Sequence, residues 1–204
     1  MTINPIVLAF PLLLILMLLI ALRLRENARI KRLREWLQVA DASDNVFSPE
    51  MIKDLPETAQ RYLQHAIAPG TLLASRVEIK MTGSIQPNPG GAWMPFEAQQ
   101  ILTPGRGFIW QAKAKMAGFL PVHVTDSYAG GEGRMQVSLL GFLPGVNASS
   151  PDVTKSAAGR LVGECVWLPA ALLPRHGALW EELDSTHAQV TLSLDDLTTP
   201  LTLS

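Results

Sequence analysis

The sequence contains few of the residues that announce a particular chemistry. It has 204 residues with a single cysteine, 17% charged residues and a formal net charge of −1. One cysteine excludes an intramolecular disulfide framework and a cysteine-rich zinc site. The motifs HExxH, GxSxG, Walker A and a strand followed by GxGxxG are missing. We therefore expect no metal and no cofactor, and a binding role more than an enzymatic one.

A long apolar run near the N-terminus breaks this ordinary composition. Ile6 to Leu22 is an uninterrupted run of 17 apolar residues, counting Pro11. As a helix it would be about 26 Å long, close to the thickness of a bilayer core. The segment before it carries no charged side chain and no cleavage site follows it, which disfavours a signal peptide. The sequence predicts a retained transmembrane anchor over residues 1–24.

A cluster of basic residues follows the apolar run. Residues 23–35 contain six Arg or Lys and two acidic residues. Basic residues beside a membrane helix stay on the cytoplasmic side, so we expect the inner membrane, a single pass and a cytoplasmic domain, with the extracytoplasmic side as the alternative. Residues 36–204 hold 11 basic and 16 acidic residues, which disfavours nucleic acid as a partner.

The basic segment also has a helical apolar stripe. Ile30, Leu33, Leu37 and Ala40 recur at helical spacing, which predicts an amphipathic helix near anionic headgroups. We assign residues 25–48 to this helix and a polar linker. Residues 49–204 are then expected to form one α+β domain.

Within that domain, most of the sequence alternates with the period of a β-strand. Alternation begins after a short helix that ends at Pro69-Gly70, and it continues through runs separated by glycine-rich turns. No long crossover helix separates these runs, so the expected sheet is antiparallel and curved, an open half-barrel. His123 and Asp126 are three residues apart on one such run, which places them on opposite faces. The sequence ends within a strand pattern, which we interpret as a truncated C-terminus.

One helix interrupts the strands. Ser149 or Ser150 suits its N-cap and Pro151 its first turn, and apolar residues recur at helical spacing as far as Leu168. The sequence thus predicts a main helix over residues 151–168 that packs on the sheet. It either ends near Trp167, before Pro169, or restarts for ALLP.

Several of these segments resemble the sequence motifs of a known family. The motif SAAGRL at residues 156–161, followed by Glu164 and by WLPAALLP from Trp167, is the most specific part, supported by YAGGEGRMQVSLLGFLP further upstream. The chain resembles a bacterial family of unknown function from about Leu55 to Ser204. This resemblance implies an N-terminal anchor, a β-rich domain that continues further, and no established activity or catalytic residues. The chain is also distantly similar to the half-barrels of periplasmic lipoprotein carriers.

Glu164 is the most informative candidate site residue. It lies on or beside the packed face of the predicted helix, and a buried carboxylate must be paired, protonated or functional. Arg160 is one turn earlier, and we expect an ion pair between them. The alternative is a catalytic role in which Glu164 is the acid or base and Arg160 its electrostatic helper.

Three aromatic residues complete the candidate ligand-binding set. Trp110, Tyr128 and Trp167 are candidate walls of an apolar cavity beside Glu164, or else ordinary core aromatics. The favoured hypothesis is a membrane-anchored module that binds a lipid, another apolar ligand or a membrane protein. A membrane-associated enzyme and an interaction scaffold with an exposed strand edge are the alternatives.

Overall fold

The fold is α+β and begins with one long helix. The computed structural model describes residues 5–39, 45–195 and 197–203, with side chains from residue 10 onward. Helix α1 spans Pro5–Gln38 without interruption, so the predicted anchor and the basic segment form one element. Residues 40–44 of the predicted linker lie outside the described residues.

The described part of the chain does not support the predicted transmembrane span. No helix there is both long enough and apolar enough to cross a membrane. Residues 1–4, and the side chains of residues 5–9, are parts of the predicted anchor that lie outside this description.

A six-stranded antiparallel sheet forms the centre of the domain. Its strands follow one another in chain order: β1 (Val77–Ile85), β2 (Met94–Thr103), β3 (Gly107–Met116), β4 (Leu120–Ala129), β5 (Glu132–Leu139) and β6 (Leu143–Ala148). Four of the five connections are short turns, as the glycine-rich breaks in the sequence predicted, and a longer loop over residues 86–93 joins β1 to β2. The prediction of an antiparallel sheet packed on one main helix is confirmed, and the sheet is open.

A second, smaller sheet was not predicted as a separate unit. It contains three antiparallel strands, β7 (Leu179–Glu182), β8 (Ala188–Leu194) and β9 (Leu197–Leu203). The main helix, α3 (Pro151–Glu164), contacts β4 and β5 of the large sheet and β9 of the small one. Short helix α2 (Glu57–Ala66) packs against β7, where Tyr62 and Trp180 have ring centroids 6.1 Å apart.

Helix α3 is shorter than predicted. Ser150 caps its start, since the side chain accepts a hydrogen bond from the Val153 backbone N–H. It ends at Glu164 and continues as 3₁₀ turns, Cys165–Trp167 and Pro169–Leu172, so the predicted helix to residue 168 is wrong at its C-terminal end. Pro169 has no backbone N–H to continue an α-helix and disfavours helical geometry in the residue before it, and Leu168 is accordingly non-helical, with φ −138° and ψ 73°.

The two faces of the large sheet have different partners. One face, which we call the α3 face, carries the main apolar core together with α3, the 3₁₀ turns and residues of the small sheet. The other, which we call the α1 face, has a small apolar cluster in which Ile30, Leu33 and Leu37 of α1 pack against Ile101 and Ile109. Within the described residues, the predicted apolar stripe of the basic segment therefore packs on the sheet.

Candidate functional site

Three of the five site residues predicted from the sequence, Trp110, Arg160 and Glu164, meet on the α3 face. Gln100, Trp110 and Asp126 are direct neighbours across β2, β3 and β4, so their side chains share one face. Arg160 and Glu164 reach this row from α3, four residues apart on one side of the helix. His123 lies on the opposite face from Asp126, as the spacing predicted.

Arg160 is the centre of this polar cluster. Its Nε donates to Glu164 Oε1 at 2.8 Å and its Nη1 to Asp126 Oδ2 at 2.7 Å. Its Nη2 reaches the Gln100 side-chain oxygen at 3.3 Å, and the Gln100 amide donates to the other Glu164 oxygen. The predicted Arg160–Glu164 ion pair is confirmed, with two further partners that only the fold supplies.

Two aromatic rings lie next to the guanidinium of Arg160. The Arg160 guanidinium carbon lies 4.8 Å from the Phe108 ring centroid and 5.1 Å from that of Trp110. A cation over an aromatic face is attracted by the ring quadrupole. Trp110 itself packs edge-on against Phe96, and its indole N–H points at the Met81 sulfur at 3.3 Å.

The other two predicted aromatics are separated. Tyr128 is buried on the same face, and its hydroxyl donates to Asp195 Oδ2 at 2.8 Å in the β8–β9 turn. Trp167 is 65% exposed in the 3₁₀ turn after α3. The structure thus brings Trp110 and Glu164 into one cluster, makes Tyr128 part of the core and leaves Trp167 at the surface.

The cluster around Arg160 links secondary-structure elements. It ties α3 to β2 and β4, and both carboxylates already accept hydrogen bonds from their neighbours. The side chains of Arg160, Asp126 and Glu164 are between 21% and 28% exposed, so water reaches the edge of the cluster. Paired in this way, Glu164 and Arg160 are arranged to orient α3.

A cleft lies on the other side of the sheet. It has a volume of about 1470 Å³ between the second half of α1 and the α1 face. Its lining includes none of the five residues predicted from the sequence as site residues. The strands present neutral polar side chains along its floor, including Gln99, Gln111, Thr125 and Gln136, which are aligned by the strand register.

Positive charge dominates this cleft. Nine Lys or Arg side chains line it, against three carboxylates. The carboxylate of Glu26 is held by Arg29 at 2.7 Å and by Arg134 at 3.6 Å, and Arg34 donates to the Gln111 side chain at 2.8 Å. Within the described ranges, Lys80 and Lys113 have neither an ion pair nor a side-chain hydrogen bond.

The cleft also perturbs a histidine. Burial lowers the pKa of His123 below its ordinary value, and the positive charges of Arg23 and Lys113 lower it further. The imidazole is therefore mainly neutral at pH 7, so it can both donate and accept a hydrogen bond. A negatively charged ligand in the cleft would offset this repulsion.

Sequence reasoning did not identify the cleft. The sequence contains one signal for it: basic residues recur on the same outward face of several strands, as Lys80 on β1, Lys113 on β3 and Arg134 on β5. Taken singly, each is an ordinary solvent-facing residue of an amphipathic strand. Because α1 lies over this face, the three basic side chains line one cleft.

The described residues do not contain a group of three His, Cys, Asp or Glu side chains close enough to hold a metal ion. Chemically, the cleft offers hydrogen-bond donors and positive charge.

Comparison with known proteins finds no similar curated protein and no similar solved structure. Residues 45–204, more than half of the chain, match a family of unknown function, DUF6544. The chain therefore belongs to the DUF6544 family.

Proposed function

We propose that the chain is a membrane-associated module that binds the headgroup of an anionic lipid in the cleft between α1 and the large sheet. The observation that carries this proposal is the excess of positive charge in a cleft of about 1470 Å³. The proposal keeps the lipid-binding hypothesis made from the sequence but places its site on the opposite face of the sheet.

The charge distribution supports an anionic ligand. The body of the chain is acidic, whereas nine basic side chains converge on this cleft. Arginine forks and lysine ammonium groups bind phosphate oxygens, and charge-assisted hydrogen bonds are stronger than neutral ones. The amide side chains on the floor suit hydroxyl groups, so the ligand we propose carries a phosphate and hydroxyl groups.

The apolar part of α1 supports a lipid as the source of that ligand. Large apolar side chains from Phe10 to Leu24 are mostly exposed, and Leu22 is one of the residues that line the cleft. A contiguous apolar surface of this kind marks a membrane or protein contact. The basic residues that follow would then lie at headgroup level, where each contributes about 1 kcal/mol to binding an anionic surface.

The proposed location follows from the same residues. With the apolar part of α1 in the inner membrane and the arginines behind it, the domain lies on the cytoplasmic side. Protease added to intact cells should then leave the domain intact, whereas digestion of the domain would place it on the extracytoplasmic side.

Vesicle flotation tests the proposed site. The double variant Lys80→Gln/Lys113→Gln removes two positive charges from the sheet and leaves α1 unchanged. If each lysine contributes about 1 kcal/mol, affinity for vesicles containing phosphatidylglycerol should fall about 30-fold. Binding to phosphatidylcholine vesicles should not change.

A control pair separates the site from general charge. Lys53 and Lys155 are exposed and lie outside the cleft, and the variant Lys53→Gln/Lys155→Gln makes the same change in net charge. Equal effects of the two double variants would contradict a site in the cleft. Stabilisation of the chain by soluble glycerol 3-phosphate, without any preference for anionic vesicles, would indicate a free phosphate ester as the ligand.

The other hypotheses from the sequence receive less support. An enzyme based on Glu164 would need that carboxylate to be available, whereas Arg160 and Gln100 both hold it. An apolar cavity beside Trp110 and Tyr128 would occupy positions that core side chains fill. If Glu164→Gln lowers the melting temperature and leaves lipid binding intact, a structural role for Glu164 is supported.

A further inference from the structure

Two neighbouring hairpins of the large sheet carry the same four residues. The β3–β4 hairpin contains Gly118-Phe119-Leu120-Pro121, and the β5–β6 hairpin contains Gly141-Phe142-Leu143-Pro144, each covering the end of the turn and the start of the second strand. We call these two segments the GFLP tips. The paired strands β4 and β5 join the two tips. The Leu140 backbone N–H donates to the Pro121 carbonyl at 2.8 Å.

Both tips adopt the same turn. The φ angles are 51° and 80° at Ala117 and Gly118, and 54° and 78° at Leu140 and Gly141. In each, the phenylalanine N–H donates to the carbonyl three residues earlier, at 3.3 Å for Phe119 and 3.2 Å for Phe142. Two consecutive positive φ angles define the tight hairpin turn that favours Asn-Gly or Asp-Gly. The alanine and leucine in the first position are therefore not explained by turn geometry.

The apolar side chains at these tips point away from the core. Phe119 is 80% exposed, Phe142 is 47% exposed, and Leu140 between them is 44% exposed. Because consecutive antiparallel strands turn at alternate ends, the β1–β2 loop lies at this same end, and its Trp93 is 65% exposed. One end of the sheet thus presents four large apolar side chains that are between 44% and 80% exposed.

The second GFLP tip lies near the part of α1 that we assign to the membrane. Gly141 and Phe142 line the same cleft as Leu22 and Arg23, where the apolar run of α1 gives way to the basic segment. The ring of His123 approaches Gly141 on one side, and Arg23 is close enough to affect its pKa. Apolar tips beside arginines match the bilayer interface, where acyl chains lie below anionic headgroups.

From this placement we propose that the GFLP tips insert into the interfacial region of the same bilayer that holds the apolar part of α1. The inference rests on the proposed membrane location and adds a second point of contact. Two separated contacts fix the tilt of the domain relative to the bilayer, whereas a single helix would leave that tilt variable. They hold the cleft close to the headgroups.

Site-specific fluorescence tests this contact in the full chain. The single native thiol, Cys165, is buried, and burial together with the nearby Glu164 charge raises its pKa to about 12. It therefore reacts poorly near neutral pH, and Phe119→Cys or Phe142→Cys can be labelled with an environment-sensitive fluorophore. Glu132→Cys is the matched control, exposed in the turn region at the opposite end of the sheet.

The expected result is a shift to shorter wavelength at positions 119 and 142 when the chain is incorporated into vesicles of phosphatidylcholine and phosphatidylglycerol. Nitroxide-labelled lipid should quench both tip positions and leave position 132 unquenched. Unquenched labels at 119 and 142 in vesicle-bound chain would overturn the inference while leaving the headgroup cleft standing. A shift that depends on protein concentration without lipid would also overturn it, because a second copy would then be the partner.

The variant Lys80→Gln/Lys113→Gln tests the cleft and not the tips. If it loses the preference for anionic lipid, that result supports the headgroup site alone. Tip quenching that persists in that variant supports the tip contact, whereas quenching that disappears while the chain stays bound overturns an independent role for the tips.

Discussion

Replacing Arg160 with methionine should destabilise the domain strongly, because two carboxylates lose their only cation in the cluster. The substitution keeps an unbranched apolar stem against Phe108 and Trp110 and removes the guanidinium. Asp126 and Glu164 are then left facing the α3 face without the 2.7 Å and 2.8 Å bonds that Arg160 provides. Their like charges also remain close to one another.

The magnitude follows from the burial of the cluster. Hydrogen bonds to charged groups contribute about 1.5–3 kcal/mol each, and removing one partner of a buried ion pair costs about 3–5 kcal/mol. These side chains are 21–28% exposed, so solvent screens part of the interaction. We expect a loss of about 3 kcal/mol in the free energy of unfolding, which at this chain length lowers Tm by about 6–12 °C.

Thermal unfolding of the full chain, followed by circular dichroism, measures this loss. Arg175→Met is the control, because Arg175 is exposed and should change stability by less than about 0.5 kcal/mol. If the stranded carboxylates cause the loss, adding Asp126→Asn and Glu164→Gln to Arg160→Met should restore part of it. Equal melting temperatures for the two arginine variants, or no restoration by the amides, would refute the structural role of the cluster.

Three further outcomes are expected. A Cβ at Gly133 would lie 2.5 Å from the Thr154 Cα, so Gly133→Ala should cost about 2–3 kcal/mol in a denaturant titration, whereas Gly159→Ala, with nothing within 4 Å, should gain about 0.5–1 kcal/mol. Because burial and neighbouring cations lower the pKa of His123 from 6.5, the unfolded chain binds this proton more readily; stability should fall as pH drops below 6.5, and His123→Gln should flatten that fall. Trp110→Ala should cost about 3–5 kcal/mol by thermal unfolding, and Trp167→Ala, at 65% exposure, less than about 0.5 kcal/mol; similar losses would contradict the assigned environments.

Local patterns were enough to predict the main elements. Alternation along β1 to β5 depends on neighbouring residues in one strand, and the pleat itself sends them to opposite faces. The same reasoning separated His123 from Asp126 and paired Arg160 with Glu164 one helical turn apart, because both relations are properties of a single element. The boundary at Glu164 was missed because the 3₁₀ turns before and after Pro169 keep a helix-like apolar spacing.

Contacts between distant elements could not be predicted in this way. Gln100 and Asp126 join Arg160 only because β2, β3 and β4 align in register and α3 crosses them, and no spacing within one segment encodes that meeting. The same holds for the cleft, because Lys80, Lys113 and the arginines of α1 are far apart in sequence. The apolar stripe on α1 did not indicate that this helix would pack on the α1 face of the sheet.

The sequence by itself determined the secondary-structure type, the antiparallel connectivity, the apolar and basic halves of the first helix, and membership of a family whose helix motif is distinctive, since all of these are written in short-range patterns. Only the tertiary structure decided which charges meet. It paired the conspicuous Glu164 within a hydrogen-bonded network and brought inconspicuous lysines together in a cleft, because electrostatic environment depends on distances in space that the order of residues does not specify.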